Sequence, residues 1–410
     1  MRSALRLLRR SPAYRRLYLA DAVSLIGDWF SLVAVSASAL TAETGAAAAL
    51  AATLAAHMLP QSLFAPFAGW LVDRLDKRRV LVIGALLEGA VTLAMWAALV
   101  GHAPALVAVL LAIRSAVSAA REPAAGAALP SIVPPADLVL ANTLSAVTWS
   151  AMFAVGMGLG GLAAAISPGF ALFADALTFL VAAALLARLP RLPSEAEPSG
   201  AGIGRVAHDL AKAARLSWSA PLRPSVHASA AASLAAGAGW VALHLRAQAL
   251  PFAAGAAAAV GVLQALRGLS TALGPFLTNR FGGSAMGRAA LPAAAAVSLG
   301  AVSLAGSSSF VGAALSSMVW GAGGGALWMI MTTEIQRRAP AAMRGRMLAF
   351  FGMGAALSMC AGAALVAALL AWTESLLGIV VLIALFALVL FAVLRRRRVP
   401  ADDSVGASAL

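Results

Sequence analysis

Long apolar runs, each close to the length that crosses a lipid bilayer, constrain this chain more than any other feature. A helix rises about 1.5 Å per residue and needs about 20 apolar residues to span the hydrocarbon core. Hydrophobic residues make up 61% of the 410 residues and charged residues only 11%, which excludes a soluble globular protein. The runs predict an all-α membrane protein with twelve transmembrane helices, at 17–40, 46–70, 80–100, 104–127, 137–166, 169–189, 224–246, 254–279, 286–306, 308–335, 342–371 and 374–394.

Basic residues fall almost entirely in alternate connections between the runs. If the N-terminus is cytoplasmic, the cytoplasmic segments hold nearly all of the 30 Lys and Arg residues, with Arg121 counted among them. Arg246 falls on the side away from the cytoplasm, and Arg114 and Arg267 fall within helices. Because cytoplasmic loops are enriched in bases, both termini are expected in the cytoplasm. The net charge of +14 then reflects tails and loops facing anionic lipids, and no nucleic-acid partner is expected.

The chain also contains an internal repeat. Gly69 and Pro135 recur 205 residues later as Gly274 and Pro340. Such a repeat predicts two pseudo-symmetric six-helix halves with the substrate path between them. The expected organisation is a cytoplasmic N-tail (1–16), a first bundle (17–189), a cytoplasmic central loop (190–223), a second bundle (224–394) and a cytoplasmic C-tail (395–410). Residues 205–218 of the central loop form either an amphipathic helix on the membrane surface or a flexible linker.

The connection between the second and third runs, residues 69–79, carries two acids and four bases. A loop so charged cannot lie in hydrocarbon. Its pattern, Gly-x-x-x-Asp-Arg-x-x-Lys-Arg-Arg, resembles the signature loop between helices 2 and 3 of the major facilitator superfamily, whose members are twelve-helix secondary transporters. Asp76 stands where that loop usually has a second glycine. A basic turn of no special meaning is the alternative interpretation.

The resemblance implies an inner gate made of Gly69, Asp73, Arg74, Arg78 and Glu122. In such a gate the aspartate faces a helix N-terminus and an arginine pairs with an acid at the end of helix 4, here Glu122. Both contacts follow from charge complementarity.

Ionisable side chains inside hydrocarbon are costly and usually functional. Asp28 in helix 1 and Arg114 in helix 4 both lie about 15 Å deep when counted from their helix entries. They are predicted to face one cavity and to couple protons, together with Asp21; a static structural pair is the alternative. Asp21 lies nearer the inner mouth, and Glu88 and Asp175 are weaker candidates that fit structural hydrogen-bonding roles.

Five further side chains are candidates for the substrate cavity: His57, Gln61, Gln264, Arg267 and Trp328. His57 and Gln61 are four residues apart and share one helix face. An ordinary hydrogen-bonded helix contact is the alternative for His57. No metal-ligand spacing accompanies it, so neither a metal nor another cofactor is expected.

Helix 5 contains a glycine element, Gly156, Gly160 and Gly161. It resembles the helix 5 glycine motif of antiporters of the superfamily, with Met157 at the usual proline position. Small residues also let helices approach closely, so generic packing is the alternative.

Six stretches are similar to the macrolide-efflux-like drug/proton antiporter branch: 24–29, 121–124, 129–135, 138–142, 265–268 and 343–346. The resemblance implies a monomer in the inner membrane of a bacterium. It would export a small amphipathic molecule, drug-like, macrolide-like or siderophore-like, in exchange for protons by alternating access. The rivals are an importer of the same fold and a membrane scaffold or sensor that transports nothing.

An enzymatic role is not expected. The sequence has no phosphate-binding loop of the Gly-x-x-x-x-Gly-Lys-Ser/Thr type and no nucleophile elbow. Its single cysteine, Cys360, allows no intrachain disulfide.

Overall fold

The computed structural model describes residues 2–40, 45–72, 74–193, 203–217, 222–274, 289–339 and 343–396, and every regular element in these ranges is a helix. The helices are α1 (Arg2–Arg10), α2 (Pro12–Ala39), α3 (Ala46–Val72), α4 (Lys77–Val100), α5 (Pro104–Ser118), α6 (Arg121–Ile132), α7 (Leu138–Ile166), α8 (Pro168–Leu186), α9 (Ile203–Ser217), α10 (Arg223–Ala249), α11 (Gly255–Thr271), α12 (Ala290–Ala305), α13 (Phe310–Arg338), α14 (Arg344–Leu370) and α15 (Leu376–Arg396). A 3₁₀ turn, Pro135–Asp137, precedes α7.

Nine spans in the described ranges are long and apolar enough to cross a membrane. One of them joins α5 and α6, and the shorter helices α11, α12 and α15 occupy the three remaining predicted runs. The predicted class, an all-α protein with twelve membrane helices, is confirmed.

Helix 4 differs from its prediction because it is broken. The run 104–127 predicts one helix, but α5 ends at Ser118 and α6 begins at Arg121. A proline ring collides with the carbonyl four residues earlier, which for Pro123 is that of Ala119. Pro123 therefore explains the break, and the break sets the direction in which Arg121 leaves the helix.

Two segments outside the membrane runs are also helical. The tail forms α1, whose Leu7 is buried against the first bundle. In the central segment α9 occupies 203–217, close to the amphipathic stretch 205–218, and its Ala213 is buried with Met343 and Met347 beside α14. The remainder of that segment, 194–202 and 218–221, lies outside the described residues.

Two helix pairs make the main contacts between the halves, α7 with α11 and α3 with α14. Helices 5 and 8 form the first pair, and helices 2 and 11 form the second. In a repeat of six helices, helix 5 corresponds to helix 11 and helix 2 corresponds to helix 8. The pseudo-two-fold symmetry therefore exchanges the two pairs.

In the described part of the chain, the apolar core is continuous between the halves at only one face of the membrane domain. The terminal face is the side that carries α1 and the loop 69–79; the opposite face carries the α2–α3 and α4–α5 connections. Near the opposite face one cluster joins Leu40 and Leu50 of the first half to Leu250 and Leu304 of the second, and it also includes Cys360. At the terminal face each half has its own cluster. The described residues of the two halves are therefore packed together at the opposite face and separate at the terminal face.

Asp76 anchors the signature loop. It is the N-cap of α4 and accepts a hydrogen bond from the backbone N–H of Arg79 at 2.9 Å. The N–H of Leu192 donates to the same carboxylate at 3.0 Å, which ties the loop to the chain beyond α8. A glycine would provide neither bond, so the departure from the usual loop pattern has a local structural reason.

Candidate functional site

A buried ionic cluster occupies the centre of the first half. Arg114 Nη1 lies 2.7 Å from Asp175 Oδ2, and Arg114 Nη2 lies 3.7 Å from Asp28 Oδ1. The second oxygen of Asp28 accepts from Arg121 Nη2 at 2.6 Å. Ser31 donates to Asp175 and lies 3.0 Å from Arg114 Nη1. Asp28 therefore sits between two guanidinium groups, and the ionic cluster joins α2, α5, α6 and α8.

Burial divides the ionic cluster into two parts. The side chains of Arg114 and Asp175 are 3% and 0% exposed, whereas those of Asp28 and Arg121 are 15% and 20% exposed. The first pair is sealed in protein, whereas the second is partly exposed. Of the two carboxylates in the ionic cluster, that of Asp28 is the more accessible.

The sequence placed Asp28 and Arg114 correctly at one depth, and the structure brings them together. One other assignment was wrong. Arg121 was counted as a cytoplasmic loop base, but the break in helix 4 turns it inward onto Asp28 and Ser24, the latter at 3.0 Å. Asp175 was expected to fit a structural hydrogen-bonding role, and its carboxylate accepts from Ser31 and is the nearest to Arg114, which agrees with that role.

Two other candidate acids lie outside these ion pairs. Asp21 is partly buried and belongs to none of the ion pairs in the described residues. Glu88 is 1% exposed, and neither of its carboxylate oxygens has a hydrogen-bond partner among the described residues. The structure thus does not join Asp21 to the ionic cluster and leaves Glu88 buried without a bond.

The described residues of the predicted inner gate do not form the expected pair between an arginine and Glu122 in this conformation. Arg78 donates to the backbone carbonyl of Ala187, and Arg74 lies over the ring of Trp70 at 4.2 Å. Glu122 is exposed and takes part in none of the ion pairs of the described chain, so the expected Arg–Glu122 pair is wrong for this state.

The break in helix 4 accounts for the missing pair, because Glu122 follows it. Asp73, the predicted gate acid, lies outside the described residues. A Cβ at Gly69 would meet no atom within 4 Å, so this glycine does not mark a close contact here.

Aromatic side chains surround the other predicted candidates in the first half. The Trp29 ring lies 4.6 Å from that of Phe153 and 5.9 Å from that of Trp149, both edge-on. His57 lies 6.4 Å from Trp29, and Gln61 follows one turn later, partly exposed. We call the space beside these rings the aromatic cleft.

The second half contributes a cation to the aromatic cleft. Arg267 donates from Nε to Gln264 Oε1 at 2.7 Å. Its guanidinium carbon lies 4.6 Å from the Trp320 ring centroid and 5.1 Å from that of Phe153. Trp328, which is 60% exposed, lies two turns further along α13. Sequence reasoning missed Trp29, Phe153 and Trp320, although their similar depth in three helices was a usable signal.

The glycine element of helix 5 lies where helices touch. A Cβ at Gly156 would be 3.0 Å from Trp29 Cβ, and one at Gly160 would be 3.0 Å from Phe30 Cα. At Gly161 a Cβ would approach Gly261 Cα of the other half to 2.7 Å. These distances favour the close-packing interpretation of the element and make Gly161 part of the contact between the halves.

A family model decides the class of the protein. The model of the Major Facilitator Superfamily matches residues 17–363, most of the chain. The chain belongs to the major facilitator superfamily. As a member of this family, it is an integral membrane transporter of small molecules.

Solved transporters of this superfamily share the fold at low sequence identity. A mutant of the nucleoside transporter NupG superposes with a TM-score of 0.77 at 13% identity, covering 93% of this chain and 98% of that one. A mutant POT peptide transporter gives 0.72 at 14% identity, with 94% of each chain covered. A bacterial homologue of the human lysosomal transporter Spinster, in an inward-facing and unoccupied conformation, gives 0.64 at 15% identity and covers 94% of this chain and 99% of that one. No curated protein sequence matches the chain.

Proposed function

We propose that this transporter exports a small amphipathic molecule by alternating access and couples export to proton entry at Asp28. The observation that carries the proposal is the position of the Asp28 carboxylate. It lies deep in the first bundle, 2.6 Å from Arg121 and 3.7 Å from Arg114, and keeps 15% exposure.

The geometry supports a specific coupling step. A proton on Asp28 removes its negative charge and weakens the charge-assisted hydrogen bond to Arg121. Arg121 is then free to move with α6, the segment after the helix break. The Arg114–Asp175 pair, sealed from water, holds the rest of the bundle in place. Protonation of one carboxylate would thus bias the balance between the two access states.

Export is the favoured direction for two reasons. The halves are separate at the terminal face, which carries most of the basic residues and so is assigned to the cytoplasm. Substrate would enter from that side. The resemblance to the macrolide-efflux-like branch points the same way. We expect both termini to be cytoplasmic; a reporter fused at Leu410 that is active only outside the cytoplasm would reverse the orientation.

The first experiment identifies a substrate and a direction. Accumulation of macrolides, cationic dyes and siderophores is compared in cells with and without the protein. Transport of the responding compound is then measured in inside-out and right-side-out vesicles. Uptake into inside-out vesicles is expected for export; uptake into right-side-out vesicles would favour the importer. No difference for any compound would favour a scaffold.

The second experiment tests the coupling acid. Asp28→Asn keeps the side-chain shape but cannot titrate. In proteoliposomes we expect uphill transport driven by a pH gradient to fall to background, while downhill substrate exchange persists. Asp137→Asn, the same change in the 3₁₀ turn before α7, should leave both activities unchanged. Unaltered gradient dependence in Asp28→Asn would move the proton site to Asp21 or Glu88.

Anionic lipids are the proposed partners at the terminal face. A groove of about 280 Å³ there is lined by Arg78, Arg79 and Arg191 together with Val82 and Ile83. Ile83 is 55% exposed on the outer surface of the first bundle, where lipid chains would lie. Three bases beside apolar side chains suit a lipid with a negative headgroup. Arg191→Gln should reduce the anionic lipid that co-purifies with the protein, as measured by native mass spectrometry.

A further inference from the structure

We propose that Arg267 and Gln264 form a subsite for an anionic group carried on an aromatic substrate. The inference rests on the proposed function in one respect, that the aromatic cleft is a transport site. It names the class of molecule: an aromatic ring bearing a carboxylate or a similar anion.

The first argument is the charge of Arg267. The ion pairs of the described residues do not include it. Residues 224–394 contain only two acids, Glu334 and Glu374. Glu334 is paired with Arg338 at 2.7 Å, and it lies 14 residues beyond Trp320 on α13, about 21 Å along the helix. Glu374 lies in the connection between α14 and α15 at the opposite face.

The carboxylates of the ionic cluster are also committed. Asp175 is bound by Arg114, and Asp28 is bound by Arg121 with Arg114 nearby. Arg267 thus enters the cleft as a cation without a protein counter-charge. The faces of Trp320 and Phe153 offset part of its charge, but a ring is a weaker partner than an anion.

The second argument is an excess of hydrogen-bond donors. A guanidinium has five N–H groups, and Arg267 gives one, on Nε, to Gln264. That bond occupies the oxygen of Gln264 and leaves its amide NH₂. Gln264 is 0% exposed, and its Nε2 has no acceptor among the described residues. Buried donors normally have acceptors, so the unfilled amide of Gln264, beside a guanidinium that is partly exposed, indicates a ligand rich in acceptor oxygens.

The third argument is the flat apolar surface next to these donors. Phe153 lies under the guanidinium, and its ring stacks on that of Trp149 at 5.7 Å and 15°. Trp149 is 44% exposed, so one large ring surface is open beside the cation. A planar ring on this surface would place an attached anion within reach of Arg267. Because Trp149 and Arg267 come from different halves, such a ligand would contact both.

The experiment compares three probes with one ring and different charges. The full chain in lipid nanodiscs is titrated by calorimetry with 2-naphthoate, 2-naphthamide and 2-naphthylmethylammonium. We expect naphthoate to bind at least about tenfold more tightly than the amide, as one hydrogen bond to a charged group implies. The ammonium should bind most weakly.

Variants assign that preference to the subsite. Arg267→Gln should abolish the preference for naphthoate over naphthamide, and Arg267→Lys should retain part of it. Gln264→Leu, which keeps the charge, should lower it by a smaller factor and serves if Arg267→Gln fails to fold. Arg246→Gln is the matched control, because Arg246 donates to the Ala305 carbonyl at the opposite face. It should leave the preference unchanged.

Three results would overturn the proposal: equal or tighter binding of the ammonium probe, an anion preference that survives Arg267→Gln and Gln264→Leu, or no binding of any probe at millimolar concentration. None of them is a test of proton coupling. Loss of anion selectivity with intact gradient-driven transport refutes only the subsite. Intact selectivity in a protein that does not transport refutes only the proposed function.

Discussion

The two halves share one arrangement of helices but hold their interiors together differently. The first half is built around the ionic cluster. Its members have uncharged counterparts 205 residues later, the distance from Gly69 to Gly274: Ser233 for Asp28, Val319 for Arg114, Ala326 for Arg121 and Val380 for Asp175. The second half therefore keeps the fold without the charges, which means that the ionic cluster is not required for the architecture itself.

Small residues take the place of charges in the second half. A Cβ at Gly237 would collide with the carbonyl of Met359, and one at Gly321 with the carbonyl of Arg267. A Cβ at Gly325 would come equally close to the carbonyl of Thr271. Helix backbones in direct contact form a stiff platform without ion pairs. The comparison teaches a division of roles: the first half carries the charged interior on which the proposed proton coupling rests, and the packed second half presents Arg267.

The largest expected effect tests whether charge holds the first half together. Asp175→Asn leaves the buried Arg114 short of one negative charge, and breaking a buried pair costs about 3–5 kcal/mol. We expect a clearly lower thermal unfolding midpoint in detergent. Glu374→Gln, an exposed acid of the second half, should have no measurable effect. Equal unfolding midpoints for Asp175→Asn and the parent chain would show that the buried ion pair does not hold the first half together.

A smaller effect is expected where the halves meet. Gly161→Ala places a methyl group 2.7 Å from Gly261 Cα, and overpacking of this kind costs about 1–3 kcal/mol. The cost applies only while the opposite face is closed, so the population should shift toward the state that opens there. Distances between spin labels on the two halves measure the shift.

Gly158→Ala is the control for the contact between the halves at Gly161. Its Cβ would lie 3.6 Å from Ala265 Cβ, an ordinary contact, so the label distances should not change. If both alanine variants behave alike, close approach at Gly161 does not control the opposite face.

The third prediction removes from the first loop an acid that its copy lacks. At the spacing of 205 residues Thr278 stands in the second half where Asp73 stands in the first, and Asn279 follows it. Asp73→Asn should leave the protein folded but slow transport, because an acid facing a helix N-terminus contributes at most about 2 kcal/mol, or roughly thirtyfold in a population ratio. Normal transport at matched membrane levels would mean that Asp73 is not a gate residue.

The smallest effect comes from a pair of serines, both 0% exposed. Ser31 bonds to Asp175 and Arg114, whereas the Ser317 hydroxyl has no partner among the described residues. Ser31→Ala should destabilise by about 1–3 kcal/mol, while Ser317→Ala should be neutral or slightly stabilising. Unfolding midpoints measured side by side check both, and a reversed order would contradict the difference between the halves.

Features that depend on length and depth could be predicted from the sequence. The apolar runs gave the positions of the helices because spanning a bilayer fixes their length. Counting residues from the helix entries placed Asp28 and Arg114 at one level, and the structure has them 3.7 Å apart. The N-cap role of Asp76 was also readable, since aspartate before a helical run is a capping signal.

Features that depend on helix rotation and breaks could not be predicted in this way. Depth alone does not say which face of α8 turns to Arg114, so the Arg114–Asp175 pair was not predicted. The inward turn of Arg121 depends on the break that Pro123 causes, and counting bases treats the residue as part of a loop. The same break left Glu122 without its expected partner.

The position of Cys360 gives the protein a built-in reporter. It is the single thiol of the chain, 8% exposed, and belongs to the apolar cluster that joins the halves. A maleimide should react with it slowly while that cluster is intact and faster whenever the cluster parts. The rate of maleimide labelling of the unaltered chain therefore reports how often the opposite face opens. One substitution, Cys360→Ala, gives a cysteine-free chain into which a labelled cysteine can be placed elsewhere.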